Sequence, residues 1–169
     1  MDRNVQDYLI DQEGKNWNEF VSDWGFLLPA SFTIWFVNRF GDMVLVVEDG
    51  SVHFFDVGVG SLRRIAASRE DFYIQIDTDD NANEWLMMNL TDDCIDAGLA
   101  LAPNQCYGFK VPPILGGEYS VENIAPTDLA VHYSFHADIC GQAKDLPDGT
   151  KVKIVVLKQS DHTSTSQHS

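Results

Sequence analysis

Apolar positions along this chain change period several times, and each change marks an element. Near the start, Val5, Tyr8 and Leu9, then Trp17, Phe20, Val21 and Trp24, recur at three- and four-residue spacing, the repeat of one helix face. This predicts an amphipathic helical region, open to interruption at Gly14, that ends at Trp24-Gly25 before a turn at Pro29. Phe32, Ile34, Trp35, Phe36 and Val37 fit a buried strand or a short helix equally well. From Met43 the pattern clears. Met43-Val44-Leu45-Val46-Val47 is rich in β-branched residues, Asp49-Gly50 is a hairpin turn signal, and Val52 to Val57 returns as a second strand. Gly58-Val59-Gly60-Ser61 makes another turn, and Leu62 to Ala66 pairs as a third strand.

Ser68 with Asp71 three residues on reads as a helix start, and the helix runs to about Ile76. A polar acidic loop over Asp77–Asn81 leads into a helix from Asn83 to Ala97. That helix carries Trp85, Leu86, Leu90, Cys94 and Ile95 near one face, with Gly98 as its stop. Tyr119 to Ile124 reads as a strand. Residues 129–140 stay open: Leu129, Val131, Tyr133 and Phe135 alternate as in a strand, while Val131, Phe135 and Ile139 fit a helix. Pro147-Asp148-Gly149-Thr150 is a turn, and Lys151 to Leu157 a terminal strand. No apolar residue occurs in Gln159–Ser169, which predicts a disordered tail. The expected fold is α+β, an antiparallel sheet with helices packed on one side, in a single domain over 1–158 with the tail 159–169 after it.

Gln105 to Tyr119 combines a short strand-like run with Pro112-Pro113 and Gly116-Gly117. Two prolines remove two N–H donors and hold the chain extended. Two glycines permit positive φ or a close backbone approach. This segment, with Phe40-Gly41-Asp42, the run Gly50-Ser51-Val52-His53-Phe54-Phe55-Asp56, and Asn123-Ile124 followed by Pro126-Thr127-Asp128-Leu129, resembles the C-terminal domain of bacterial immunity proteins that neutralise DNase toxins delivered by type VI secretion. The resemblance covers about residues 24–150. It implies a protein that binds and neutralises a cognate toxin without catalysis of its own.

Charge adds a direction to that reading. The 169 residues carry a formal net charge of −15, from 26 acidic and 11 basic side chains. Such a balance opposes direct binding of nucleic acid, which needs a basic footprint, and suits a basic protein partner. Asp77, Asp79, Asp80, Glu84, Asp92, Asp93 and Asp96 fall in a stretch without Lys or Arg. On one continuous helix Glu84, Asp92 and Asp96 share a face. These seven residues are the candidate partner-binding set, facing a cognate basic toxin, a nuclease in the family reading. The bland alternative is a solvated helix face. No run of apolar residues reaches the roughly 18 needed to span a membrane, and the polar, acidic Met1–Asp7 lacks the features of a signal peptide. The expected location is the cytoplasm.

Other chemistry is weakly marked. His132 and His136, with Asp138 and Cys140 close behind, have the spacing of a shared metal site but no marked third ligand. They read as surface or half-buried histidines, and no metal or cofactor is expected. Cys94, Cys106 and Cys140 are odd in number and lack C-x-x-C spacing, which predicts buried free thiols. Cys106 with either histidine is a poor nucleophile pair, because an apolar setting raises the thiol pKa. His53 and Asp56, three apart on a strand, point to opposite faces; Asp56 is expected to cap the Gly58–Gly60 turn. No phosphate-cradling or nucleophile-elbow motif is present. An alternative to the immunity reading is a small-ligand or regulatory module with Lys110, Tyr107, Tyr119 and the Pro112–Gly117 loop lining a pocket. A metal-dependent hydrolase using the two histidines is a third.

Overall fold

A computed structural model of the chain describes residues 3–144, and beyond them only the backbone of two short strands, β7 (Ile154–Val155) and β8 (Ser166–Gln167), which pair antiparallel. The rest of the expected terminal strand Lys151 to Leu157 and of the tail 159–169 lies outside the described residues.

Four strands follow one another in a meander: β1 (Phe32–Val37), β2 (Met43–Val47), β3 (Val52–Asp56) and β4 (Ser61–Ala66), in spatial order β1-β2-β3-β4, all neighbours antiparallel. The ambiguous apolar run is therefore a strand. Its alternation is broken by a register shift between Ile34 and Phe36. Such a bulge lets consecutive residues serve the same side, and here the Trp35 and Phe36 rings stack 4.8 Å apart.

Both faces of this sheet are covered. Met43, Leu45, Phe55 and Val57 join a core with Trp24, Leu129, Tyr133, Ala137 and Cys140. Their sequence neighbours Val44 and Phe54 join Val52, Ala66, Phe72 and Trp85 in a second core on the other side. The class is the expected α+β, but helices flank the sheet on two sides rather than the one expected. The cause is visible in Met43-Val44-Leu45 and Phe54-Phe55, which are buried in succession and so need apolar cover on each face.

The first face is covered by α5 (Leu129–Ala143) and by the N-terminal segment, which contains α1 (Trp17–Phe20). The expected amphipathic helix is instead a set of short turns: a 3-10 turn at Val5–Tyr8, α1, and a second 3-10 turn at Ser22–Trp24. Asn4 and Asn16 each cap a turn with the side chain, Gly14 takes φ 73°, and Ile10 N–H donates to the Val37 carbonyl at 2.8 Å. Polar caps and a pairing contact outcompete a continuous helix here. α5 settles the other ambiguity. The Asp128 side chain accepts from Val131 N–H and starts it, an N-cap worth about 1 kcal/mol.

On the second face lie α2 (Arg69–Gln75) and α3 (Asn81–Leu86), while α4 (Met88–Asp96) follows and places Cys94 in a third core with Phe40. Ser68 caps α2 as expected, accepting from Asp71 N–H at 3.1 Å. The single helix expected over Asn83–Ala97 is two helices, broken at Met87, which adopts the left-handed conformation (φ 52°, ψ 46°). A remaining ribbon, β5 (Gln105–Phe109) with β6 (Ile124–Asp128), pairs antiparallel and packs Tyr107 and Ile124 with Phe40 and Cys94. Val121–Asn123 is a 3-10 turn, so the strand starts at Ile124 rather than at Tyr119. Between β5 and β6 the Pro-Pro/Gly-Gly segment folds as a 3-10 turn over Pro113–Leu115. Gly116 takes φ 94°, and any Cβ on Gly117 would run into the Val111 carbonyl. The Asn123 side chain pins this loop, donating to the Val111 and Glu118 carbonyls at 3.0 and 2.9 Å and accepting from Val111 N–H at 2.9 Å.

An acidic cleft between the sheet and the broken helix

The loop between β1 and β2 sets the floor of the candidate site. Asn38 is buried, and its carboxamide oxygen accepts from the N–H groups of Phe40 and Asp42 at 2.8 and 3.1 Å. Its amide donates to the Asp42 carboxylate and to the Trp85 carbonyl near the end of α3. One side chain thus ties the β1–β2 turn to α3. Beyond it, the Asn83 side chain accepts from Asn89 N–H at 2.8 Å and carries the chain across the Met87 break. The break turns α4 away from the line of α3 and leaves a cleft of about 440 Å³, within the size range of small-ligand sites.

Asp42, Phe54 and Asp56 line the cleft from the sheet side; Asp80, Asn83 and Glu84 from α3 and its start; Met87, Asn89 and Leu90 from the break and α4; and Phe109 and Tyr119 from the ribbon and its loop. Tyr119 meets Phe109 edge-on with centroids 5.3 Å apart. No Ser, Thr, Cys or His lines it. The chemistry it offers is a set of carboxylates against aromatic and apolar walls, which favours positive charge.

The carboxylates are not equivalent. Asp42 is buried, accepting from Val57 N–H at 2.9 Å and from Asn38. Burial, and then the nearby Asp56, hold its pKa well above the usual carboxylate range. Burial also raises Asp56, against hydrogen bonds from the Val59 and Gly58 N–H groups. The latter, at 3.1 Å, is the turn-capping contact expected from sequence. Burial, followed by Asp56 and Asp42, pushes the Tyr119 hydroxyl up to about 12. At the rim Glu84 pairs with Arg63, whose guanidinium also lies 5.4 Å from the Phe54 ring centre.

The seven acidic residues marked in sequence separate into groups. Asp77, Asp79, Asp80 and Glu84 are exposed at the entrance to α3 and on it, and Asp80 and Glu84 line the cleft. Asp92 is half-buried, accepts from the Tyr8 hydroxyl at 2.9 Å and pairs with Arg3 at 3.3 Å; Asp96 pairs with Arg3 at 2.9 Å. Asp93 is exposed. Because α3 and α4 are separate helices, the single shared face expected for Glu84, Asp92 and Asp96 does not exist. Sequence reasoning missed Asp42 and Asp56 as cleft carboxylates. The available signal was their place at the two ends of the β2–β3 hairpin, which brings them to the same edge of the sheet.

The remaining candidates resolve into structure. His132 and His136 are fully buried, not surface or half-buried, and their rings meet edge-on at 4.6 Å. His132 shares a hydrogen bond of 2.9 Å with the Phe40 carbonyl, while Nδ1 of His136 is buried without a partner. Burial lowers their pKa values to about 4 and about 3. No cluster of three or more His, Cys, Asp or Glu side chains able to hold a metal occurs among the described residues. The three cysteines are buried and free. Burial pushes Cys106 well above its usual range, Cys94 to about 11 and Cys140 to about 12. His53 meets Ser51 Oγ at 3.1 Å, away from Asp56. The expected Tyr107–Tyr119 pocket is not one pocket. Tyr107 is buried and donates to the Leu99 carbonyl, Lys110 is exposed, and Gly116 and Gly117 line a separate depression.

Residues 66–140 match the family model described as T6SS immunity protein Tdi1, C-terminal. Over that segment the chain is similar to this immunity family. The match takes in α2 through most of α5, the Pro-Pro/Gly-Gly loop and all seven acidic residues, and excludes Phe40–Asp42 and most of the four-stranded sheet. No curated protein matches the chain significantly. No helix among the described residues is long and apolar enough to cross a membrane.

Proposed function

We propose that the chain is an immunity protein that binds a cognate toxin, a type VI secretion DNase, in the cytoplasm and blocks its access to DNA. The observation that carries this reading is the Tdi1-type match over residues 66–140, within which all seven candidate acidic residues lie. The mechanism needs no chemistry from this chain. Carboxylates compete for the basic surface that would otherwise hold phosphates, and a few apolar anchors supply the central contact. Asp77, Asp79, Asp80 and Glu84 are the primary contacts in this scheme, with Asp93 steering from α4. Asp92 and Asp96 are less available, because Arg3 already holds them, and Glu84 has to exchange its ion pair with Arg63 to engage the partner. A small-ligand module is the second reading, favoured by the 440 Å³ cleft.

The test is co-expression with the protein encoded by the adjoining reading frame. A stoichiometric complex, together with protection of the host from that protein's DNase activity, is the expected result. A toxic neighbour that neither binds nor is neutralised would overturn the proposal.

A further inference from the structure

Building on the immunity reading, we propose that the cleft between Asp42, Asp56, Phe109 and Tyr119 is a socket for a single arginine side chain of the partner protein. The rim of the same cleft already displays the chemistry. Arg63 places its guanidinium over Phe54 and pairs with Glu84, and both of those residues line the cavity. The rest of the lining repeats the composition, two carboxylates and two aromatic rings, and Arg63 acts on Asp56 through its field without forming an ion pair with it. Neither Asp42 nor Asp56 has an ion-pair partner within 4 Å among the described residues.

The ligand class follows from shape and charge. The walls are Phe109, set edge-on to Tyr119, with Met87 and Leu90 beside them. A planar guanidinium stacks on such rings and forks between carboxylates, whereas an ammonium is a compact, strongly hydrated charge that gains less from a flat aromatic wall. Asp42 and Asp56 come from the two ends of one hairpin, so the pair is held by β2–β3 register and is formed before any partner arrives. Half-exposed Tyr119 stands at the mouth, with 51% of its surface accessible. Burial holds both aspartates above the usual carboxylate range, and repulsion from Asp56 adds to it at Asp42. A cation seated between them relieves the repulsion and favours ionisation, so binding releases protons and strengthens as pH rises.

The experiment has two arms. In the first, wild type, Tyr119→Ala and Asp56→Asn are titrated with arginine amide and lysine amide, followed by NMR of the aromatic side chains. Saturable shifts of Tyr119 and Phe109 with arginine amide, at least threefold weaker with lysine amide and lost in both variants, are expected. In the second, the same variants are measured against the cognate toxin, with circular dichroism as folding control. Tenfold or greater loss of affinity in both folded variants is expected. Wild-type affinity in both would overturn the socket while leaving the immunity reading intact. Failure of the wild type to bind the toxin, with arginine amide still seated at Tyr119, would remove the immunity reading and leave the cation site. No shift at Tyr119 or Phe109 with saturating arginine amide would overturn the socket directly.

Discussion

The two faces of the four-stranded sheet use polar groups in opposite ways. On the α5 face they are sealed in and, apart from the unpartnered Nδ1 of His136, spent on holding the chain. Trp24 Nε1 donates to the Tyr133 carbonyl at 3.0 Å, the Tyr133 hydroxyl donates to the Gly41 carbonyl at 2.6 Å, and His132 meets the Phe40 carbonyl. On the α3 face the second core ends in an open cleft, whose polar groups are carboxylates with lone pairs to spare. The difference separates architecture from recognition. A satisfied buried network specifies one structure, while repelling carboxylates at the edge of a core are tolerated where a partner can complete them.

Acid distinguishes the faces most sharply. His132 and His136 are held neutral below their unfolded value of about 6.5, so the folded state resists a proton that the unfolded state accepts. Their contribution is whole above about pH 6.5 and is lost as pH falls towards 4 and 3, on the order of 3 kcal/mol for His132 and 5 kcal/mol for His136. Asp42 and Asp56 have the opposite sign. Their raised pKa values make the folded state bind protons more readily, so acidification towards 3.8 relieves the cleft and offsets part of that loss. Urea unfolding between pH 7 and pH 4 is expected to show a net fall, reduced in His136→Phe, which removes a titrating ring whose Nδ1 has no partner to lose. An unchanged pH profile in that variant would place the acid sensitivity elsewhere.

A smaller effect is expected at Tyr133. Tyr133→Phe leaves the Gly41 carbonyl without its buried donor and is expected to cost about 1–3 kcal/mol, read as a lower urea midpoint at constant slope. A midpoint equal to wild type would show that the α5 network is not what fixes the Phe40–Asp42 turn.

The smallest effect is expected in the cleft, and with the other sign. Asp56→Asn keeps an acceptor for Gly58 N–H and removes the repulsion with Asp42. It is expected to leave stability at pH 7 unchanged or raise it by up to about 1 kcal/mol, a gain that fades as pH falls towards 3.8. A loss of more than that amount at pH 7 would mean Asp56 holds the fold and would erase the contrast between the faces.

Much of the fold was legible along the chain. Asp49-Gly50 and the flanking β-branched runs announced the β2–β3 hairpin, because turn chemistry and side-chain alternation are local properties. Ser68 announced α2 for the same reason. The strained path at Gly116-Gly117 was readable from composition, and the resemblance to type VI immunity proteins was readable from the motifs around it. The net charge of −15, on which the proposed basic partner rests, is a property of composition alone.

Tertiary structure decided the rest. The Trp35-Phe36 pair looks like a helix or a strand until the bulge that serves both residues is known, and a bulge is fixed by pairing with β2. Residues 129–140 carry both periods, and only burial against the sheet and the Asp128 cap select the helix. No Gly or Pro marks the break at Met87; it is spanned by the Asn83–Asn89 contact and tied to the β1–β2 turn by Asn38, which reaches the Trp85 carbonyl across 47 positions. The site depends on that break. Sequence marked acidic residues by proximity along the chain, yet the cleft draws Asp42 and Asp56 from the sheet, Glu84 from α3 and Tyr119 from a distant loop. Composition and local pattern therefore determined the sign of the surface and most elements, whereas long-range pairing and side-chain bridges decided where carboxylates and aromatic rings meet.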